Sequence, residues 1–264
     1  MELMQGSKRK QISIASRRGR NTRRGRRIES RSRLGYHTPD TQPAARAAPC
    51  RPNSVTLIDI TRKLDPTLAV WPGDAPFRLH PQAQMAAGEI VNVTSLHLSA
   101  HTGTHVDAFH HYVDGATAMD GMDLTLYWGP AQVVTVEKPA GPLFPADFDA
   151  VDLARASRLL LRSSASHADP TRFFRDYVYP DPALAAALGR HGIRLFGTDA
   201  PSVDPPDSAT LSGHHALFAA GIAILEGLSL AHVADGLYEL VALPLKIAGG
   251  DGSPVRAVLR PLEA

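Results

Sequence analysis

Four of the chain's 12 histidines fall within eleven residues, in HTGTHVDAFHH at 101–111, where an even spread would put fewer than one. They are His101, His105, His110 and His111, and Asp107 stands among them. Imidazole nitrogen and carboxylate oxygen are the donors that hold first-row divalent cations, so the cluster points to a metal centre. Neither regular backbone form would gather them. On a helix, at about 100° per residue, His101 and His105 share a face while Asp107 and His111 point away. On a strand, at about 3.3 Å per residue, His101 and Asp107 stand roughly 20 Å apart, whereas metal bonds are near 2 Å. The chain must fold back between the ligands, and Gly103, between Thr102 and Thr104, permits the tight turn.

An aspartate within a histidine set can also bridge two ions, one oxygen to each. Two ions need more donors than this segment offers, so a second segment should supply them. The best candidate is LSGHHALFAAGIAILEG at 211–227. A short helix beginning at His214 rises about 10 Å, and a strand ending at Glu226 returns about 13–16 Å, so both residues can reach one edge of the domain. Glu226 is the only charge in HALFAAGIAILEGLSL. A carboxylate buried there needs a cation or a full set of hydrogen bonds; beside His214, the ligand role is favoured.

The elements that must position these residues are mostly strands. Short β-type runs occupy 55–61, 91–99, 131–137, 158–163, 193–199, 222–227, 238–248 and 254–260, bounded by Gly, Pro or Asp. Helices are expected at 181–192, capped by Asp181 with Pro182 in the first turn, and at 214–221, stopped by Gly221. This is an α/β domain rich in mixed β-sheet. The strand at 91–99 is expected to deliver His101 at its end. GGDG at 249–252 reads as a turn and 254–260 as a closing strand.

Composition divides the chain. Residues 1–51 carry 14 Lys and Arg against three acids, and 52–264 carry 14 against 23. The Arg-rich segment 1–51 is expected to be a basic disordered extension, and 52–264 the single folded domain. No apolar h-region follows Arg17–Arg18, which argues against a secretory signal. No aromatics interleave the arginines as base stacking would want. The expected setting is cytoplasmic, with no nucleic-acid or membrane partner. The one cysteine, Cys50, lies outside the body, which excludes disulfides, thiolate sites and a cysteine nucleophile there. Serine-hydrolase elbows, phosphate-binding Gly-Lys loops and H-E-x-x-H are absent, leaving the histidine–carboxylate set as the chemistry.

The motif HTGTHVDAFHH resembles the H-x-G-T-H-x-D-x-P-x-H signature of the cyclase-like metal-dependent hydrolases. VWPGD (70–74), GTDAPSVDP (197–205), HHALFAAGIAILEGL and ALPLKIAGGDGSPVRAVLR resemble that family's bacterial kynurenine formamidase branch. The likeness spans 52–264. It implies a swivelling β/β/α cyclase-like fold, usually dimeric, and two zinc ions per subunit, with manganese also compatible. By that likeness His101, His105 and Asp107 hold one ion, Asp107 bridges to a second held by His214, and Glu226 serves both. His111 becomes the proton donor and acceptor, and Trp71 an aromatic wall for a small-molecule substrate. The implied reaction is hydrolysis of N-formyl-L-kynurenine to L-kynurenine and formate, with a cyclic amide such as isatin as the alternative substrate. The chain departs from the signature at Phe109, where the family has proline; a phenyl ring there is expected to narrow the pocket. Asp199 and Ser202 are candidates to orient ligands, and Arg256 to meet a substrate carboxylate.

Overall fold

The computed structural model describes residues 56–262, so the segment 1–51 lies outside the described residues. In chain order the strands are β1 (Ile58–Asp59), β2 (Arg78–Ala83), β3 (Val93–His97), β4 (His105–Asp107), β5 (Trp128–Thr135), β6 (Gly141–Leu143), β7 (Arg158–Arg162) and β8 (Val178–Pro180). Helix α1 (Pro182–Arg190), β9 (Leu195–Thr198), α2 (Ser212–Ala219), β10 (Ala223–Glu226), β11 (Gly236–Val241), β12 (Gly252–Pro254) and β13 (Val258–Pro261) complete it.

Nine strands form one mixed sheet in the order β1-β13-β11-β5-β7-β9-β10-β4-β12. Its centre, β5, β7, β9 and β10, is parallel, and both flanks are antiparallel. The sequence explains this division. Strands β7, β9 and β10 are short and mostly apolar along their length because both of their faces are covered. Leu159 and Leu161, Phe196 and Ile224 face one core cluster, while Leu160, Leu195 and Leu225 face the other. Helices α1 and α2 close the first face with Leu184, Leu188 and Leu217. The second face closes on itself, since Val106 of β4 and Leu259 of β13 join one cluster from opposite flanks. At about 25 cal/mol per Å² of apolar surface, each fully buried leucine contributes roughly 1.5–3 kcal/mol to this core.

Four expected strands differ, the run 55–61 being a strand only at Ile58–Asp59 among the described residues. The run 238–248 ends as a strand at Val241; Pro244 has no N–H for a ladder and stops the pairing. The run 254–260 is divided between β12, which pairs with β4, and β13, which pairs with β1 and β11. The run 91–99 forms β3, but β3 pairs only with β2, in a separate exposed hairpin. His101 is therefore not carried by the main sheet through its preceding strand. The turn itself holds it: the Ser99 hydroxyl accepts from His101 N at 3.2 Å and the Ser99 carbonyl from Thr102 N at 3.2 Å.

Candidate metal centre

The site lies where β4 and β10 run side by side. Their antiparallel register sets His105 opposite Glu226, and the pleat carries Asp107, two residues on, to the same face. Gly103 makes the return between His101 and His105 at φ +69°, a left-handed conformation that side-chain-bearing residues rarely adopt. A Cβ there would also stand 2.8 Å from Leu64 Cδ2. Gly252 of β12 has a different reason: a Cβ would come within 2.8 Å of the His101 ring. The helix–strand return of α2 and β10 brings His214 to the same edge, as its spacing suggested.

The distances define a four-sided cluster. Asp107 Oδ1 is 3.0 Å from His101 Nδ1 and 3.5 Å from His105 Nε2, and its Oδ2 is 3.5 Å from His214 Nε2. Glu226 turns Oε2 to His105 Nε2 at 3.3 Å and Oε1 to His214 Nε2 at 3.8 Å. Each carboxylate thus presents one oxygen to either side. His105, Asp107, His214 and Glu226 are all less than 5% exposed.

These atoms fit a divalent cation. The separations of 3.3–3.8 Å are longer than good hydrogen bonds. They match the roughly 3.3 Å between neighbouring donors that each sit about 2.0–2.1 Å from one tetrahedral ion. His105 Nε2 and Asp107 Oδ2 are buried without a hydrogen-bond partner, a costly condition that a cation would relieve. The outward nitrogens fix the ligand tautomers: His105 Nδ1 lies 3.0 Å from the Gly103 carbonyl and His214 Nδ1 2.6 Å from Asp204 Oδ2. With a proton on each Nδ1, both Nε2 lone pairs face inward.

The electrostatics agree. Burial lowers the His105 pKa, but the neighbouring carboxylates of Asp107 and Glu226 outweigh it and raise it to about 10. His214 is likewise raised to about 10, burial being outweighed by Asp107, Asp204 and Glu226. Burial works against the Asp107 carboxylate, yet His101, His105 and His214 hold its pKa well below the ordinary range. The pocket draws positive charge, and protons and metal ions compete for it.

His111 ends a single 3₁₀ turn, Phe109–His111, and is partly exposed. Its ring stacks on His101 with centroids 4.0 Å apart, and its Nδ1 is 4.0 Å from Asp251 Oδ2. Burial lowers its pKa below 6.5, outweighing the pull of Asp107. His101, Asp107 and His111 offer donor atoms within 4.8 Å of one another, so geometry alone also admits His111 as a ligand. His110 and His215 are exposed.

A cavity of about 480 Å³ opens onto the cluster, lined by Trp71, Phe173, His101, His111 and Arg62 among others. Trp71 and Phe173 meet edge to face with centroids 5.1 Å apart. Phe109 does not line it. Its ring packs against Phe218 of α2 at 5.1 Å and against the core, so the departure from the motif proline fills the interior and leaves the pocket wide.

Some side chains play other parts than the sequence suggested. Asp199 contacts no candidate ligand; its carboxylate accepts from Ser163 N, Ser163 Oγ, Ser166 N and Ser166 Oγ at 2.6–3.0 Å. Ser202 Oγ accepts from Asp204 N at 3.1 Å. Asp204 is the residue behind His214. Arg256 is bound to Asp59 at 2.7 and 3.0 Å, away from the cavity. Asp251, from the turn at 249–252, lies 3.3 Å from His101 Nε2. A carboxylate behind a metal-binding histidine is a recurrent arrangement, and that was the one signal available for Asp204.

The family model described as "Putative cyclase" matches residues 58–205. The chain belongs to the cyclase family. It is 48% identical over 208 residues to the kynurenine formamidase of Salinibacter ruber, covering 78% of this chain and 98% of that one. Among solved structures it is similar to isatin hydrolase A from Labrenzia aggregata, with TM-score 0.70 and 25% identity over 78% of this chain and 94% of that one. A structure titled "Potential Metal-Dependent Hydrolase With Cyclase Activity" matches with TM-score 0.68 and 25% identity over 79% and 98% of the two chains. Among the described residues no helix is long and apolar enough to cross a membrane.

Proposed function

We propose that this chain hydrolyses N-formyl-L-kynurenine to L-kynurenine and formate at a centre of two divalent ions, zinc by preference. The observation that carries the reading is the near-complete coverage of a kynurenine formamidase at 48% identity. The donor set supports it. His101, His105 and Asp107 would hold one ion, and His214 the other. Asp107 and Glu226, which divide their oxygens between the two sides, would be shared. Manganese also accepts such nitrogen and oxygen donors. Bound ions of this kind supply a nucleophile from water at neutral pH and polarise a carbonyl.

The chain's own residues do the rest. Trp71 and Phe173 form an aromatic corner for the aryl ring, which aligns the formyl group with the cluster. Asp204 keeps the His214 proton on Nδ1 and so keeps its Nε2 a donor. His111, neutral near pH 7 because burial lowers its pKa, would take up the attacking water's proton at Nε2, the ring nitrogen that does not face Asp251. It returns that proton to the anilide nitrogen, which leaves as a neutral amine.

The exposed apolar side chains Leu79, Met85, Ile90 and Leu96 of the β2–β3 hairpin support a homodimer, to be checked by light scattering. The reading is tested by steady-state turnover of formylkynurenine and of isatin by the same metal-loaded sample. Kynurenine formation at least about a hundredfold more efficient than isatin opening, the scale at which a site built to bind polar substrate groups discriminates, is expected. The reverse preference would make the chain an isatin-type hydrolase.

A further inference from the structure

Arg62 is a guanidinium whose local contacts serve two ends. Its main-chain N–H donates to Thr104 Oγ1 at 2.8 Å. Its Nε donates to the Gly227 carbonyl at 3.1 Å, and its Nη2 to the carbonyls of Asp199 at 2.8 Å and Ala165 at 3.3 Å. Thr104 precedes one cluster residue, His105, and Gly227 follows another, Glu226. The guanidinium is therefore fixed relative to the metal cluster. Every one of these acceptors is a neutral oxygen, and among the described residues no carboxylate lies within ion-pairing distance. Nη1 has no hydrogen-bond partner and is not sealed from solvent.

Among the described residues no ion pair offsets this charge. Burial disfavours its charge, with only Asp199 opposing that effect. Arg158 shows what a purely structural guanidinium looks like here. Its Nε, Nη1 and Nη2 all donate to carbonyls, those of Leu126, Pro130 and Thr125, and it stands off the cavity. Arg62 instead lines the cavity that holds the cluster, and also an adjoining depression. Burying a charge without a counter-charge is costly, and an anionic ligand group would supply one.

We propose that Arg62 anchors the carboxylate of an amino-acid-bearing aryl amide in this cavity and so sets its specificity; this deepens the formamidase reading and rests on it. With the formyl end at the cluster and the aryl ring at Trp71 and Phe173, the α-carboxylate must find its partner on the remaining wall. The Arg62 guanidinium lines this cavity and has Nη1 without a protein partner, so it can offer a charge-assisted donor there. Asp74 and Asp169 line the same cavity and match the α-ammonium beside it. Arg172 also lines the cavity but is exposed, where an ion pair contributes little.

The test uses the metal-loaded full chain and measures affinity for L-kynurenine and for 2-aminoacetophenone, which has the ring and ketone without the amino-acid end. Arg62→Met should weaken L-kynurenine about 10- to 100-fold, the scale of one lost hydrogen bond to a charged group, and change 2-aminoacetophenone by less than about threefold. Arg62→Lys keeps the charge without the planar fork and should show a smaller, still kynurenine-selective loss; it serves also if the methionine variant does not fold. Equal weakening of both ligands would reduce Arg62 to a structural pin and overturn the proposal. So would unchanged L-kynurenine affinity, or a selective loss in Arg172→Gln instead. A wild-type chain that binds L-kynurenine through Arg62 yet does not hydrolyse formylkynurenine would overturn the formamidase reading alone. A wild-type chain that hydrolyses it with no dependence on Arg62 would overturn the anchor alone.

Discussion

Asp204→Asn isolates what a carboxylate does behind His214, a proposed metal ligand. Asp204 is 1% exposed, so solvent screens little. Its Oδ2 lies 2.6 Å from His214 Nδ1 and accepts from His214 N at 3.1 Å, while Oδ1 accepts from Gly213 N at 2.8 Å. The last two are N-terminal donors of α2. Leu211, at the N-cap in a left-handed conformation, provides no side-chain cap, so Asp204 caps the helix from outside it. Asparagine has the same shape but only one acceptor oxygen. Its NH₂ must face either the helix N–H of Gly213 or the His214 side chain. The first orientation leaves a buried donor unsatisfied, at about 1–3 kcal/mol. The second removes the acceptor of the His214 N–H, at a similar cost, and favours the His214 tautomer with its proton on Nε2, directed at Asp107. Loss of such a supporting carboxylate costs about 10- to 100-fold in metal affinity. Chelator competition should show that loss, and urea denaturation of stripped protein should show about 1–3 kcal/mol less stability. Asp199→Asn is the control, because its partners Ser163 and Ser166 are not cluster residues; it should cost stability and leave metal affinity alone. An Asp204→Asn chain that binds metal within threefold of wild type, or an Asp199→Asn chain that loses as much affinity, would mean that Asp204 does not support His214 as a ligand.

Other tests follow from the same geometry. His111→Ala should retain the full metal content, by elemental analysis, while turnover falls about 10²- to 10⁴-fold; loss of metal together with activity would make His111 a ligand. In stripped protein His105 and His214 have pKa values raised from 6.5 to about 10. Their stabilising contribution is complete below pH 6.5 and is lost as pH rises through 10. The stripped chain should therefore be less stable at pH 9.5 than at pH 6.5, metal affinity should rise over that window, and calorimetry in two buffers should record proton release on metal uptake. Metal binding without proton release near pH 7 would contradict this.

The convergence of these side chains was legible because coordination chemistry admits few residue types and short distances. His101, His105 and Asp107 lie in one motif, and the helix–strand return that brings in His214 and Glu226 follows from two repeat lengths. The central strands were legible because doubly buried strands must be apolar throughout, as in Leu159–Leu161. The failures share a cause. Asp204, Asp251, Arg62 and Phe173 owe their places to contacts that local patterning does not encode; Asp251 meets His101 across 150 residues of chain. Asp199 and Asp204 are both aspartates of one loop, and only the fold decides which faces His214. The division of 254–260 between two positions in the sheet is of the same kind, since its alternation fits either pairing. Phe109 was misplaced because the motif gives a position and not a side-chain direction; Phe218, which receives it, belongs to another element.

The most direct measurement is a titration of stripped protein with Zn²⁺ while formylkynurenine turnover is followed. The stripped chain should be inactive, and turnover should rise and saturate at two equivalents per chain. Full turnover by metal-free protein, or saturation with bound zinc and no kynurenine formed, would contradict a hydrolytic centre built on His101, His105, Asp107, His214 and Glu226.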